Sequence, residues 1–312
     1  MTSIRDIAKK SGVAPSTVSR YINHSGYVAH KTGEKIQATI DNLNYVPNQI
    51  ARELSLGQTK RIGVVIPHTQ HPFFIDIIRG LLDAALTSHY QVVMLPSHYD
   101  SSIEKSYLEQ LRAKSLDGLI FTSRTLSLSL IESYHAYGRI VLLEDCQSPH
   151  LSSISINRRR GLNQLFTYIR DQELEGTCAL LFTRNHYKSA TYNATMTSCQ
   201  QILGKDYPTI SFGAISTFQD GYRIAENLSK HKSITSILAN SDDIAAGIKH
   251  YYDQHNQKLP LLLSQEAQLS GKLLGIASIH NNSYQLGFQA LELAISDNNH
   301  HQILNSHFLK SR

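Results

Sequence analysis

The sequence predicts a two-part protein: a small all-α head followed by a larger α/β body built on parallel sheets. Three observations lead to this prediction. The chain has 312 residues, enough for two or three domains. Its net charge of +5 is concentrated near the amino terminus. Beyond that basic segment, strand-like apolar runs alternate with helical stretches, which is typical of βαβ units.

The charge distribution separates the head from the body. Residues 1–61 hold nine basic and four acidic side chains, whereas residues 62–312 hold 21 of each. All of the net charge therefore lies on the first fifth of the chain. Such asymmetry indicates a polyanion-binding module attached to a neutral body.

The first predicted helix covers residues 4–11 (IRDIAKKS). Ile4, Ile7 and Ala8 share one face of this helix, and charged side chains occupy the other face. Gly12 then supplies a tight turn. The segment predicts a short helix that packs through its apolar face.

A second helix follows from Pro15, a residue that is tolerated only in a first helical turn. Val18 and Ile22 lie four residues apart and face inward, which leaves a polar outer face of Ser16, Thr17, Ser19 and Arg20. A third helix is predicted at about 31–42. Two short helices around a glycine turn predict a helix-turn-helix unit that binds DNA. The alternative is a small helical domain whose Lys and Arg side chains only solvate its surface.

The body is predicted from its alternating segments. Strands are predicted at 62–66, 92–95, 118–122, 140–143, 179–182, 209–212 and 236–239. Helices are predicted at 73–88, 102–114, 161–170, 190–203, 222–228 and 243–254. Ligands of such folds bind at the carboxyl ends of the parallel strands.

Composition and motifs exclude several classes of protein. The amino terminus lacks an apolar export signal, and the longest apolar runs are too short to cross a bilayer, so we expect a cytoplasmic protein without a membrane partner. The three cysteines are widely spaced and predict neither a disulfide frame nor a metal site. No catalytic or cofactor motif is present, so we predict neither enzymatic activity nor a cofactor.

The head carries a family resemblance. The segment IRDIAKKSGVAPSTVSRYIN, followed by GYVAHKTGEKIQATIDNLNYVPNQIARELSLGQTKRIGVVIP, resembles the lac-repressor/galactose-repressor family of bacterial transcriptional regulators. The matching elements extend over some sixty residues. The resemblance implies a sequence-specific regulator, expected to be a repressor of a carbohydrate-utilisation operon, that acts as a homodimer on a near-palindromic DNA operator.

The resemblance assigns roles to residues of the head. Pro15, Ser16 and Arg20 fall where relatives contact base edges, and Arg20 is expected to read a guanine through two hydrogen bonds. The other expected DNA contacts, mostly to phosphates, are Arg5, Thr17, Ser19, Asn23, Lys31 and Tyr45. Gly33 departs from the family, where Arg is common, and we expect it to cost a phosphate contact at most.

Residues 47–56 (PNQIARELSL) resemble the hinge helix of the family. A helix of this length is marginal alone in water, so we expect it to form when two copies pack on DNA. Asn48 and Ala51 belong to this expected DNA surface. Leu54 is expected to insert into the minor groove and kink the duplex. The alternative is that Leu54 is an ordinary core leucine.

The body resembles the periplasmic-binding-protein-like sensor of the same family, which has two lobes. We expect a helix-turn-helix head over residues 1–46, a hinge over 47–60, and an effector-binding and dimerisation domain over 61–312. Within that domain we expect an N-lobe of about 61–158, a C-lobe of about 159–290 and a carboxyl-terminal return to the N-lobe, with three strands crossing between the lobes.

A small-molecule effector, expected to be a sugar or sugar phosphate, would bind between the lobes. Most of the candidate contacts follow predicted strands, and the rest come from family positions. They are His68, His71, Phe73, Phe74, Ser123, Arg124, Glu144, Asp145, Asn157, Arg158, Arg184, Tyr192, Ser241, Asp242 and Glu266. Phe74 can equally be a core residue, and Asp242 can equally cap the following helix.

Several departures leave the effector open. Tyr192 and Ser241 stand where relatives carry sugar-binding Arg and Asn, so a modified, phosphorylated or non-sugar effector is an alternative. Arg124, Arg158 and Arg184 would suit an anionic effector, because guanidinium groups match phosphate. They can also be surface charges.

Two other functions compete with the regulator. A solute-binding module without specific DNA function conflicts with the intact polar face from Ser16 to Arg20. A sugar-processing enzyme on a similar fold, such as a kinase, conflicts with the lack of a phosphate-binding loop.

Overall fold

The computed structural model describes residues 3–47, 52–53, 56–67, 72–183 and 189–310. The chain divides into two compact units, Met1–Thr59 and Lys60–Arg312. The first contains helices, and the second contains two lobes built on parallel sheets. The predicted fold class, an all-α head and a two-lobed α/β body, is confirmed.

Local capping and an apolar core shape the head. Its helices are α1 Ile4–Ser11, α2 Pro15–Asn23 and α3 His30–Asn42. Ser3 and Asp6 form a capping box at the start of α1, and Gly12 ends α1 with a left-handed φ of 67°. The inward faces meet in a core of Ile7, Ala8, Val18 and Ile36.

The N-lobe follows the predicted alternation of strands and helices. Its strands are β1 Arg61–Ile66, β2 Gln91–Pro96, β3 Gly118–Phe121, β4 Arg139–Leu142, β5 Ser152–Asn157 and β11 His301–Asn305. Its helices are α4 Pro72–Ser88, α5 Ser101–Arg112, α6 Leu128–Glu132 and α12 Ser283–Ile295. The six strands are parallel in the order β11-β5-β4-β3-β1-β2, with α4 and α12 packed on one face of the sheet.

The C-lobe repeats this plan. Its strands are β6 Thr177–Leu181, β7 Thr209–Phe212, β8 Ile234–Leu238, β9 Leu261–Gln265, β10 Ala277–His280 and β12 His307–Leu309. Its helices are α7 Arg158–Arg170, α8 Ala190–Leu203, α9 Phe218–Lys230, α10 Asp242–Gln254 and α11 Leu269–Leu273. The strand order is β12-β10-β9-β8-β6-β7, and only β12 pairs antiparallel.

Within the described part of the body, three chain segments connect the lobes. The first passes from Asn157 to Arg158, the second lies between β10 and α12, and the third is Ser306 between β11 and β12. The Ser306 hydroxyl donates to the carbonyl oxygen of Asn157 over 2.8 Å, and Asn282 Nδ2 donates to the carbonyl oxygen of Asn305 over 2.7 Å. Hydrogen bonds therefore join the third segment to both others.

The return to the N-lobe begins earlier than residue 290. Helix α12 already packs against α4, where Gly80 and Gly287 let the two backbones approach. A Cβ on Gly80 would lie 2.0 Å from the carbonyl oxygen of Tyr284. The apolar face of α12 is buried in the N-lobe core, which fixes the lobe to which this helix belongs.

Candidate functional site

Helix α2 presents a polar face on the head. Pro15 occupies its first turn, and Pro15, Ser16 and Arg20 are exposed. Val18 is fully buried and anchors the opposite face of the helix. Among the described residues of α2 there is no acidic side chain, so this face is suited to an anionic partner.

The remaining predicted contacts on the head differ in exposure. Arg5 and Lys31 are exposed, whereas Thr17, Ser19, Asn23 and Tyr45 are partly buried. Tyr45 packs against the head core. The predicted contacts Asn48, Ala51 and Leu54 lie outside the described residues.

Gly33 has a structural explanation. It is buried in α3, and a Cβ at this position would lie 2.9 Å from the ring of Tyr21. The Tyr21 hydroxyl in turn donates to Gln37 Oε1 over 3.1 Å. Glycine therefore lets the Tyr21 ring pack closely between α2 and α3.

The body contains a cavity of about 290 Å³ where loops at the carboxyl ends of both sheets meet. Such a position is where parallel α/β folds bind ligands. Six of the predicted effector contacts line it: Phe73, Phe74, Ser123, Glu144, Arg158 and Glu266. The predicted contacts His68, His71 and Arg184 lie outside the described residues.

Aromatic rings form part of the cavity lining. Phe73 and Phe74 lie in the first turn of α4, with ring centroids 5.4 Å apart in an edge-to-face arrangement. Phe74 is both a core residue and a lining residue, so its two predicted roles coexist. Tyr192 does not line the cavity; its ring packs 4.8 Å from that of Phe182, which does.

Glu266 is a buried carboxylate in the cavity wall. Its Oε1 accepts from Asn281 Nδ2 over 3.0 Å and lies 3.7 Å from an Arg158 guanidinium nitrogen, and its Oε2 accepts from Ser283 over 3.4 Å. Burial raises the pKa of Glu266, and the nearby Arg158 opposes that rise. The Arg158 guanidinium also lies 4.9 Å from the centroid of the Phe73 ring. Arg158 belongs to the first connecting segment and Asn281 to the second. The contacts of Glu266 therefore join the C-lobe wall to both segments.

Arg124 and Glu144 form an ion pair beside the cavity. Arg124 Nε and Nη2 donate to Glu144 Oε1 over 2.8 and 2.5 Å, and Nη1 donates to the carbonyl oxygen of Leu126 over 2.6 Å. Glu144 lines the cavity, but Arg124 does not. Arg124 therefore orients Glu144.

Buried Glu104 holds the loop that carries Ser123 and Arg124. Its carboxylate accepts from the backbone N–H of Thr125 over 2.8 Å and of Leu126 over 3.1 Å. Sequence reasoning missed this residue. The available signal was an acidic side chain on a helix face that also carries Leu108 and Leu111.

Four further predicted contacts do not line the cavity: Asp145, Asn157, Ser241 and Asp242. Ser241 caps α10, because its hydroxyl accepts from the backbone N–H of Ile244 over 3.4 Å. Asp242 is fully buried in the first turn and accepts hydrogen bonds from the Ser264 hydroxyl and the Gln268 backbone. Burial raises the pKa of Asp242. Asp242 thus ties α10 to β9 and the loop after it.

Among the described residues that line the cavity, sequence reasoning missed nine: Tyr99, Thr122, Leu143, Phe182, Thr183, Ser189, Ala190, Thr191 and Asn240. Most of them lie at or just beyond the ends of strands, which was the available signal. Asn240 Nδ2 donates to Thr183 Oγ1 over 2.8 Å and links the loops after β8 and β6.

The described residues contain no group of three or more His, Cys, Asp or Glu side chains that could hold a metal ion. Within the same residues, no helix is long and apolar enough to cross a membrane.

Comparisons with known proteins identify both units. Residues 3–48 match the model described as "Bacterial regulatory proteins, lacI family". Residues 59–265 match "Periplasmic binding proteins and sugar binding domain of LacI family". The two matches cover the head and most of the body.

Similar proteins extend over most of the chain. Catabolite control protein B of Bacillus subtilis (strain 168) is 30% identical over 298 residues, which is 95% of each chain. The sucrose operon repressor of Streptococcus mutans is 34% identical over 161 residues, covering 52% of this chain and 50% of that one. A crystal structure of the lac repressor dimer bound to operator and the anti-inducer ONPF has a TM-score of 0.82 at 18% identity, covering 99% of this chain and 98% of that one.

The relatives are transcriptional regulators rather than enzymes. The family models account for the helical head and the two-lobed body, and the relative from Bacillus subtilis matches nearly the whole chain. The chain belongs to the lacI family of bacterial regulatory proteins, and it is a DNA-binding transcriptional regulator.

Proposed function

We propose that the protein is a homodimeric repressor of a carbohydrate-utilisation operon, and that a sugar bound between its lobes sets its operator affinity. The observation that carries this proposal is the cavity at the facing carboxyl ends of both sheets, with aromatic rings and hydrogen-bonding groups in its walls. Such walls suit a sugar, whose ring packs on aromatic faces while its hydroxyls bind polar groups. The similarity to a sucrose operon repressor supports this choice.

The head would read DNA through α2. Exposed Arg20 would pair with a guanine in the major groove, with Pro15 and Ser16 at neighbouring base edges. Phosphate contacts would fix the register, through Arg5, Thr17, Ser19, Asn23, Lys31 and Tyr45. In the hinge, Asn48, Ala51 and Leu54 would face the minor groove, with Leu54 as the inserted wedge.

Two exposed apolar faces support a homodimer. On α4, Ile75, Leu82 and Leu86 recur at the spacing of one helix face, and Leu86 is 77% exposed. On α11, Leu269 and Leu273 are 70% and 75% exposed. Apolar patches of this kind mark interaction sites. A second copy would cover these faces and place two heads on the half-sites of a near-palindromic operator.

The effector would act by changing the arrangement of the lobes. The three connecting segments would act as hinges, and the first of them carries Arg158, which pairs with Glu266 in the cavity wall. To invert operator occupancy from 99:1 to 1:99, the effector must prefer one arrangement by about 5.5 kcal/mol.

We assign residues 1–46 to the head, 47–60 to the hinge and 61–312 to the effector and dimerisation domain. Because a regulator must reach its operator, we infer that the protein acts in the cytoplasm.

Selection of bound DNA from a random pool, with and without a panel of sugars, tests this function. The proposal predicts enrichment of one palindrome and a change in its recovery when a sugar is added. Indifference to DNA sequence would contradict the repressor function and favour a solute-binding module.

A further inference from the structure

The C-lobe contains a second cavity, at the opposite end of its sheet from the cavity between the lobes. Its volume is about 590 Å³, and no described residue lines both cavities. The parallel strands β8 and β9 begin at the second cavity, where Ile234 and Leu261 belong to its wall. The inter-lobe cavity lies at the carboxyl ends of the same sheet, so the two sites are separate.

Two helix ends contribute to the wall of the second cavity. Leu228 lies in the last turn of α9, and Tyr252 lies in the last turn of α10. The backbone N–H of His231 donates to the carbonyl oxygen of Leu228 over 3.1 Å. The N–H of Gln257 donates to that of Tyr252 over 3.0 Å. These helix carbonyls therefore already have donors and do not require a ligand to supply them.

The floor of the second cavity is apolar. Leu228, Ile234 and Tyr252 line it, although each is largely buried in the C-lobe core. Leu259 is half-buried and extends the apolar surface. Burial raises the pKa of Tyr252, so its phenol is uncharged near neutral pH. A ligand with an apolar body would gain free energy by covering this floor.

Two cationic side chains lie at the rim of the second cavity. Lys232 and Lys258 are exposed and line the cavity, and its described lining residues include no acidic side chain. Glu173 and Glu175 flank the lining residue Leu174 but do not line the cavity themselves. The lining therefore has a positive formal charge.

The two rim lysines differ from the lysines of the adjoining helices. On α9, Lys230 donates to Glu226 over 2.9 Å. On α10, Lys249 lies 3.1 Å from Asp253. In the part of the chain that the structure describes, neither rim lysine forms an ion pair. An ammonium group is a point charge that can pair with a carboxylate without a fixed geometry, so both rim lysines are available to an anionic ligand.

We propose that this cavity is a second ligand site, which binds a small organic carboxylate with an apolar body. The apolar body would cover Leu228, Tyr252 and Leu259. The carboxylate would pair with Lys232 and Lys258 at the rim. This inference goes beyond the proposed function and does not rest on it, because the site lies at the other end of the sheet from the sugar.

Calorimetric titration of the full-length protein with octanoate tests the proposal. Octanoate has both features, octanamide lacks the charge, and acetate lacks the apolar body. We expect octanoate to bind saturably, octanamide to bind about fivefold more weakly, and acetate to bind at least about tenfold more weakly. No binding of octanoate, or equal binding of octanoate and either other probe, would overturn the proposal.

Three variants locate the bound carboxylate. Lys232→Gln/Lys258→Gln should abolish the preference for octanoate over octanamide, because it removes both rim charges. Lys105→Gln removes an exposed lysine on α5 of the N-lobe and should leave the preference unchanged. Leu259→Ala should weaken octanoate and octanamide alike, by about threefold, because it removes part of the apolar floor. An unchanged preference in the double variant would overturn the role of the rim lysines.

A fourth variant separates the two cavities. Phe73→Ala alters the inter-lobe cavity and should leave the affinity for octanoate unchanged. Weaker binding of octanoate in Phe73→Ala would place it between the lobes and overturn the proposal.

Operator binding, measured on the same preparations, separates this inference from the proposed function. A protein that binds its palindrome but not octanoate would remain a regulator and would overturn the inference. A protein that binds octanoate as predicted but no specific DNA would keep the inference and overturn the repressor function.

Discussion

At the scale of single residues, the head and the body use charged groups in different ways. The cationic side chains of the head, such as Arg20 and Lys31, are exposed and available to a partner. Those near the cavity of the body, Arg124 and Arg158, are held by carboxylates. The exposed cations of the head are therefore suited to a polyanion.

Arg20 and Lys31 should respond differently to replacement. Arg20→Ala should weaken operator binding by about 1–3 kcal/mol and relax specificity at one base pair. Lys31→Ala should weaken binding to all sequences alike and reduce the slope of log affinity against log salt by about one. Anisotropy titrations with the operator and single-base variants measure both effects. Unchanged specificity in Arg20→Ala would contradict its base-reading role.

The buried carboxylate of Asp242 should make stability fall as pH rises. Its folded-state pKa is raised above the ordinary value of 3.8, because burial disfavours the ionised form. Its favourable contribution is present below pH 3.8 and is lost as pH rises through the folded-state pKa. Urea unfolding across this range should show the free energy of unfolding of the wild type falling relative to Asp242→Asn.

Glu226 provides a control of opposite sign. A hydrogen bond from Lys230 lowers the pKa of Glu226 below its ordinary value of 4.5. Its contribution is present above pH 4.5 and is lost as pH falls through the folded-state pKa. The free energy of unfolding of the wild type should therefore rise with pH relative to Glu226→Gln. The same trend in both variants would contradict the assignment for Asp242.

At the scale of elements, close backbone contact fixes how helices pack on the N-lobe sheet. Helices α4 and α12 meet where Gly80 lies against the backbone of Tyr284 and Gly287 lies against that of Ile77. Each added Cβ would come within 2.0 Å of a carbonyl oxygen. Because backbone atoms cannot move aside as a flexible side chain can, the crossing depends on glycine at both positions.

Gly80→Ala should therefore destabilise the body. Separating two packed helices costs about 1–3 kcal/mol of unfolding free energy, as in other overpacked cores. Thr87→Ala, on the exposed side of the same helix, should change the free energy by less than about 0.5 kcal/mol. Denaturant unfolding compares the two variants. Equal stability of both would contradict the role of the glycine contact.

The sequence predicted elements with strong local signals and missed those that depend on distant partners. The helix α8 and the strand β7 were predicted with the bounds observed. Five strands were not predicted: β5, β9, β10, β11 and β12. All except the apolar β9 are short or rich in polar residues, and each is stabilised by pairing with a strand elsewhere in the sequence. Helix α9 begins at Phe218 rather than 222, since Thr217 and Asp220 form a capping box.

The candidate site was predictable in part, because some of its residues have a local sequence signal and others depend on distant partners. Strand ends pointed to Ser123 and Glu144, and both line the cavity. The ion pair between Arg124 and Glu144 joins residues twenty positions apart, so no local sequence pattern predicts it. The contribution of α8 through Ser189 to Thr191 depends on how the two lobes face each other. Spacing along the chain contains no information on that arrangement.

At the scale of the whole molecule, the proposed dimer and the proposed effector cavity are separate surfaces of one body. The apolar faces of α4 and α11 are exposed, whereas the cavity is lined by loops from both lobes. Movement of the lobes would change the position of the proposed dimer faces relative to the cavity. Dimerisation and effector binding are therefore expected to be linked.

Leu86→Glu should weaken the dimer. It places a charge on the apolar face of α4, where Leu86 is among the most exposed large apolar side chains of the described residues. Sedimentation velocity should show monomers at concentrations where the wild type is dimeric, and operator affinity should fall because one head binds one half-site. Ile303→Glu, on the exposed side of β11, should leave the dimer intact. An unaltered dimer in Leu86→Glu would remove α4 from the interface.

The central claim is that a sugar in the inter-lobe cavity controls binding to a specific operator. The most direct test is the dissociation constant of a labelled palindromic operator, measured by anisotropy with and without a bound sugar. The account predicts a change of about 5–150-fold in the wild type, and a higher sugar concentration for the same change in Phe73→Ala. An operator affinity that stays constant while the sugar occupies the protein would contradict it.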